Sequence, residues 1–199
     1  MVNAQGMHDI LKQVLTKRVG LQEKAIQKLL SISKIRSLRR GEYLVEEGMV
    51  CNIVALVIKG TLRSFIRTDQ EEFNNDFYFN GDFGIALTSY LTGRPTNCNI
   101  QALEFVDLLV ISKQDMLNLE NDDPDFLRLS KYIAENYFIR KCKRESSFLK
   151  FNASDRLSVA LELYPGIQQK VSQFHIASYL GIKPETLSRV KLASLKRIT

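Results

Sequence analysis

The sequence predicts an α+β protein, with helices towards both ends and a run of short strands between them. Three observations predict it. Apolar residues recur at helical spacing up to residue 31 and again after residue 112. Between residues 32 and 111, short runs rich in β-branched and aromatic side chains are divided by turn signals. Residues 171–190 read as two short helices joined by a glycine turn. At 199 residues the chain can bury a core without disulfides or a structural metal.

The first helical stretch, residues 7–31, places Ile10, Leu11, Val14 and Leu15 on one face and breaks near Gly20. It resumes with Leu21, Ala25, Ile26, Leu29 and Leu30. The strand series follows: 35–38 and 43–45 flank Arg40-Gly41-Glu42, and 53–58 ends at Lys59-Gly60. Next come 62–67, then 73–79 leading into Asn80-Gly81-Asp82, and finally 97–103 and 106–111. Many short strands with little helix between them predict a small sandwich or barrel.

Asp122-Asp123-Pro124-Asp125 then opens a long helix over residues 124–148, acidic at the positive end of its dipole. Its Phe126, Leu129, Ile133, Asn136 and Tyr137 step by threes and fours, the spacing of a helix–helix seam between two copies. The same stripe is also compatible with packing on the chain's own β region. Asn152 caps a further helix to Leu163, and Tyr164-Pro165-Gly166 turns the chain. The expected division is residues 1–121, 122–150 and 151–199.

In the last segment Ser172 is placed to cap a short helix whose Ile176, Ala177 and Leu180 face inward. Gly181 follows, and Pro184 stands where a second helix begins and its missing N–H costs nothing. Leu187 and Val190 turn that helix onto the first. Lys183, Glu185, Thr186, Ser188 and Arg189 then face outward, where polar side chains reach base edges in a major groove. An ordinary helical hairpin with a soluble face has the same spacing, but the charge distribution favours DNA. Residues 140–199 hold 12 Lys/Arg against 4 Asp/Glu, net +8, whereas residues 1–139 carry a net −2.

Other chemistries find no support. Cys51, Cys98 and Cys142 are scattered and form neither a disulfide framework nor a CxxC metal motif. The only histidines, His8 and His175, lie outside the strand region, so a metalloenzyme on this β scaffold lacks its ligands, and no nucleophile–base arrangement is evident. No catalytic residue, metal or resident cofactor is expected. The polar start and the absence of a long apolar stretch predict a cytoplasmic protein that does not enter membranes.

Gly41, Glu47-Gly48, Val57-Ile58-Lys59-Gly60, Asn80-Gly81-Asp82-Phe83-Gly84, Leu180-Gly181 and Glu185 to Arg189 occur in an order that resembles the Crp/Fnr family of bacterial transcription regulators. The resemblance covers nearly the whole chain. It implies an N-terminal double-stranded β-helix (jelly-roll) of the cyclic-nucleotide-binding type, a long dimerisation helix, and a C-terminal helix-turn-helix domain; the small β wing that usually follows in the family is expected here to be reduced or absent. It implies a cytoplasmic homodimer that binds palindromic double-stranded DNA, with RNA polymerase as a further partner. Glu185 and Arg189 then match the base-reading glutamate and arginine. Ser172 and Gln173 match backbone contacts, and Lys191 adds a phosphate contact. Pro184 stands where the family often has arginine, which removes one base contact.

The resemblance also locates an effector cassette between Gly84 and Asn99, with candidate pocket residues Gly84, Ala86, Leu87, Arg94, Thr96 and Asn97. The family's ribose-binding glutamate falls at Ala86 and its arginine–serine pair at Thr96-Asn97. Alanine accepts no hydrogen bond and threonine carries no charge to meet a phosphate, which argues against a cyclic nucleotide and leaves any effector unidentified. Phe65, Phe77, Phe79, Phe83 and Tyr90 are candidates to fill the roll instead. The rival reading is a ligand-sensing module whose helix-turn-helix binds protein.

Overall fold

The computed structural model describes residues 9–195, and the chain divides into two compact units. One comprises residues up to Ser64 with Phe77–Glu135; the other comprises Phe65–Asp76 and the chain from Asn136 onward. The expected helix start at Met7 and the basic Lys196-Arg197 pair lie outside the described residues.

In the first unit, α1 (Lys12–Val19) winds with the wider π-type repeat and gives way at Gly20 to α2 (Glu23–Ile32). The strands are β1 (Lys34–Leu38), β2 (Tyr43–Val45), β3 (Ile53–Lys59), β4 (Leu62–Arg67), β5 (Glu72–Tyr78), β6 (Phe83–Gly84), β7 (Asn99–Ala102) and β8 (Val106–Ser112). They form two four-stranded sheets, ordered β1-β8-β3-β6 and β2-β7-β4-β5. The jelly-roll expectation holds. β3 lies inside its sheet and is buried from Val54 to Ile58, which explains its unbroken apolar run. β1 is an edge strand, so its Ile35 is 65% exposed despite reading as core. A short helix, α3 (Leu87–Thr92), interrupts the strand series inside the expected effector cassette.

Helix α4 (Lys113–Asp122) is capped by Ser112, whose Oγ accepts from the Asp115 N–H at 3.0 Å. The long helix α5 (Asp125–Lys150) follows, and Asp123 accepts from its first N–H. The expected seam residues require correction here. Phe126 and Leu129 are fully buried and Ile133 is 6% exposed, all within the roll's own core beside Leu56, Ile85, Met116 and Leu119. Burial there removes more apolar area from water than an exposed seam, so these three side chains are not available to a partner. Asn136 is exposed, and Tyr137 is half-buried beneath the Lys141 ammonium.

The second unit holds α6 (Ala153–Leu163), α7 (Ile167–Lys170), α8 (Gln173–Leu180) and α9 (Pro184–Leu195). Asn152 caps α6 by accepting from the N–H groups of Ser154 and Asp155. Leu157, Ala160, Ile167, Ile176, Ala177, Leu180 and Leu187 form its core. The tip of the β4–β5 hairpin belongs to this unit, an assignment the sequence reading did not make.

Candidate nucleic-acid interface

The geometry of the helix-turn-helix begins at Ser172, whose Oγ accepts from the His175 N–H at 3.3 Å and starts α8. The helix stops at Gly181, which adopts φ 65°. A Cβ there would also lie 2.8 Å from Cε1 of Phe148, so backbone conformation and close packing both demand glycine. Phe148 is held in turn between two guanidinium groups, Arg144 at 4.6 Å and Arg156 at 4.8 Å from its ring centre. The turn closes with Ile182 N–H donating to the Ala177 carbonyl, and the Lys183 carbonyl receives the first N–H groups of α9. Pro184 opens that helix, as its missing donor allows.

Leu187 is fully buried and anchors α9 against α8 and α6. That anchor turns Lys183, Glu185, Ser188 and Arg189 to solvent, with Thr186 half-buried between them. Glu185 and Arg189 lie one turn apart and make no hydrogen bond or ion pair with the described residues. Ser172 and Gln173 are exposed at the start of α8, and Lys191 is half-buried on α9. The eight residues expected to face DNA thus lie on α8 and α9 and at the positions just before each helix.

Sequence reasoning missed the buried polar network behind this surface. Asp76 is fully buried, with its carboxylate 3.3 Å from Lys141 Nζ and 3.7 Å from Arg140 Nη1. Tyr164 donates its hydroxyl to the same carboxylate at 2.6 Å. Burial alone pushes the Asp76 pKa up, but the Arg140 and Lys141 charges and the hydrogen bonds outweigh it and hold the carboxyl below its ordinary value. Burial and the neighbouring Asp76 charge raise Tyr164 well above its ordinary value, and the same causes push Tyr179 up to about 12.

Asn74, also fully buried, ties the hairpin to α8: its N–H donates to Ser178 Oγ at 3.0 Å and its side-chain amide to the His175 carbonyl at 3.3 Å. Ser178 Oγ donates to the Glu72 carbonyl at 2.8 Å. Arg144 donates to the carbonyls of Asn74 and Tyr179 and lies over the Tyr179 ring. The signal available in the sequence was Asn74-Asn75-Asp76, three polar residues interrupting an apolar strand.

The six expected effector-pocket residues do not converge. Gly84, Ala86 and Thr96 are buried, whereas Arg94 and Asn97 are exposed. A Cβ on Gly84 would lie 3.2 Å from Leu44 and 3.3 Å from Leu62, so aliphatic side chains close the roll at this point. Leu87 instead lines an apolar groove of about 330 Å³ with Tyr90, Lys113, Leu117 and Ile133. Phe65, Phe77, Phe79 and Phe83 are buried and Tyr90 is half-buried. Ala86 lacks the carboxylate that would accept from a ribose hydroxyl, and Thr96 lacks the charge that would pair with a cyclic phosphate. Among the described residues no cluster of three or more His, Cys, Asp or Glu side chains could hold a metal ion. No described helix is long and apolar enough to cross a membrane.

A β-roll, a long helix and a helix-turn-helix follow one another in this order. Residues 35–123 match the family of the cyclic nucleotide-binding domain. No curated protein matches the sequence as a relative. Among solved structures, a CooA variant from Carboxydothermus hydrogenoformans is similar at 18% identity and TM-score 0.72, over 93% of this chain and 84% of that one. The c-di-GMP responsive global regulator CLP of Xanthomonas campestris is 18% identical, with TM-score 0.69 over 88% and 92%. A transcriptional regulator of the Crp/Fnr family from Eubacterium rectale is 18% identical, with TM-score 0.65 over 85% and 82%. Residues 35–123 thus match a cyclic nucleotide-binding domain, and the fold of the chain is similar to that of the solved Crp/Fnr-type regulators.

Proposed function

We propose that this protein is a homodimeric, sequence-specific DNA-binding transcription regulator of the cytoplasm, working with RNA polymerase and without catalytic chemistry of its own. The observation that carries the reading is the pair Glu185 and Arg189, exposed one turn apart at the start of α9 while Leu187 holds the helix from behind. Arginine grips guanine through two hydrogen bonds and glutamate accepts from a cytosine amine. Ser172 and Gln173 fix the register on the phosphate backbone, and the +8 charge of residues 140–199 supplies the attraction. The roll is not expected to take a cyclic nucleotide, because Ala86 offers no carboxylate to its ribose and Thr96 no charge to its phosphate.

Titration of mixed-sequence duplex at several salt concentrations tests the DNA assignment. Affinity is expected to fall steeply as salt rises, since each phosphate contact releases condensed counterions. Lys191→Ala should weaken all sequences alike and reduce the slope of log K against log salt by about one. No binding at any salt would remove the DNA reading and leave protein recognition by the helix-turn-helix.

For the dimer, α5 leaves Leu127, Phe138, Ile139, Phe148 and Leu149 exposed, the first, second and last of them at 55%, 67% and 82%. Leu127, Phe138 and Leu149 recur every eleven residues, about three helical turns, and so share one face. Phe138→Glu is expected to convert a dimer into a monomer in sedimentation. A wild-type protein that sediments as a monomer would refute the pairing.

A further inference from the structure

We infer that the tip of the β4–β5 hairpin is an acidic guard that lowers the affinity of the recognition helix for DNA. The inference rests on the DNA-binding reading above. Between the tip (residues 67–73) and the turn that opens α9 runs a cleft of about 760 Å³. One wall carries Asp69, Glu71 and Glu72; the other includes Lys183 and Pro184, the first residues of the DNA-facing helix. Glu72 is paired with Arg67 at 3.0 Å. Asp69 and Glu71 are exposed, and their side chains form no ion pair with the described residues. Two uncompensated carboxylates therefore border the place where phosphates must come.

The tip is fastened there. Ser178 Oγ bridges two successive hairpin sites, accepting from the Asn74 N–H at 3.0 Å and donating to the Glu72 carbonyl at 2.8 Å. The Asn74 amide holds the His175 carbonyl, and Arg144 holds the Asn74 carbonyl. At the tip, the Thr68 hydroxyl accepts from the N–H groups of Gln70 and Glu71 and fixes the turn that presents the acids. Asp69, Glu71, Lys183 and Pro184 line one cleft, so phosphates seated beside Lys183 and Pro184 lie near the two carboxylates, in a repulsion that salt screens. A β-hairpin beside a recognition helix would normally add attraction for the duplex; this one adds repulsion, and displacing or neutralising it raises affinity.

The test compares wild-type protein with D69N/E71Q, two exposed changes at a loop tip, and with E46Q/E47Q, which alters net charge equally in the first unit. Affinity for mixed-sequence duplex is read by fluorescence anisotropy between about 50 and 200 mM salt. The tip variant is expected to bind about twofold tighter at the low end, the size Coulomb's law gives for two charges on the order of 10 Å from phosphates in water after screening at that salt. The gain should shrink as salt rises, and the control should gain less. Measurable but equal affinities of wild type and tip variant, or an equal gain in the control, would overturn the guard alone. Absence of binding by all three proteins would overturn the DNA reading and the guard with it.

Discussion

Asp76→Asn is expected to cost the protein about 3 kcal/mol, because it leaves the partly buried Arg140 and Lys141 charges facing a neutral amide. Asp76 is fully buried, and Lys141, Arg140 and Tyr164 converge on its carboxylate. Urea unfolding of the variant measures the loss, and a change below about 1 kcal/mol would show that the network contributes little. The same carboxylate sets an acid limit. Its pKa is lower in the folded protein than in the unfolded chain. Its stabilisation is therefore complete above the ordinary carboxylate value near 4 and is lost as pH falls from there towards the folded value. Stability measured against pH should decline over that acid window in the wild type and much less in Asp76→Asn. An equal decline in both would assign the acid sensitivity to other groups.

Arg189→Ala is expected to weaken binding to the preferred duplex by about 1–3 kcal/mol and to relax the preference at one base pair of each half-site. The side chain is exposed, so its removal should leave the unfolding curve unchanged. This separates it from Asp76→Asn, which acts on stability first and on DNA binding only through the fold. Selection of bound fragments from a random duplex pool, repeated with the variant, shows whether one position loses its preference. Retention of both affinity and preference would mean that α9 does not read bases.

Most elements were legible because their signals are local. Asn152 and Ser172 announce helix starts through side-chain oxygens that accept from the nearest N–H groups, and both do so in the structure. Gly181 and Pro184 mark the turn and the following helix start through backbone properties that no distant residue alters. The seam was misread because periodicity reports that one face of a helix is apolar and not what covers it. Phe126, Leu129 and Ile133 follow the spacing of a two-helix seam, but their partners are Leu56, Ile85 and other side chains of the roll. Helix α3 was missed because six residues, two of them β-branched, give too little periodicity to stand out from a loop.

The candidate site divides in the same way. The exposed positions on α8 and α9 follow from 3.6-residue geometry once Leu187 and Ile176 are placed inward, so the outward-facing set could be read from the chain alone. Tertiary structure decided what surrounds that set. Asn74 meets His175 and Ser178 across about a hundred positions of sequence, and Asp76 meets Tyr164 across 88. Pairings at such separations depend on how the whole chain closes, and nothing in the residues between them encodes the encounter. Hydrogen-bond capping, glycine turns and helical periodicity act within a few residues and were determined by the sequence itself. The closed roll, the buried charge network and the acidic tip beside the recognition turn arise only when distant segments share one volume.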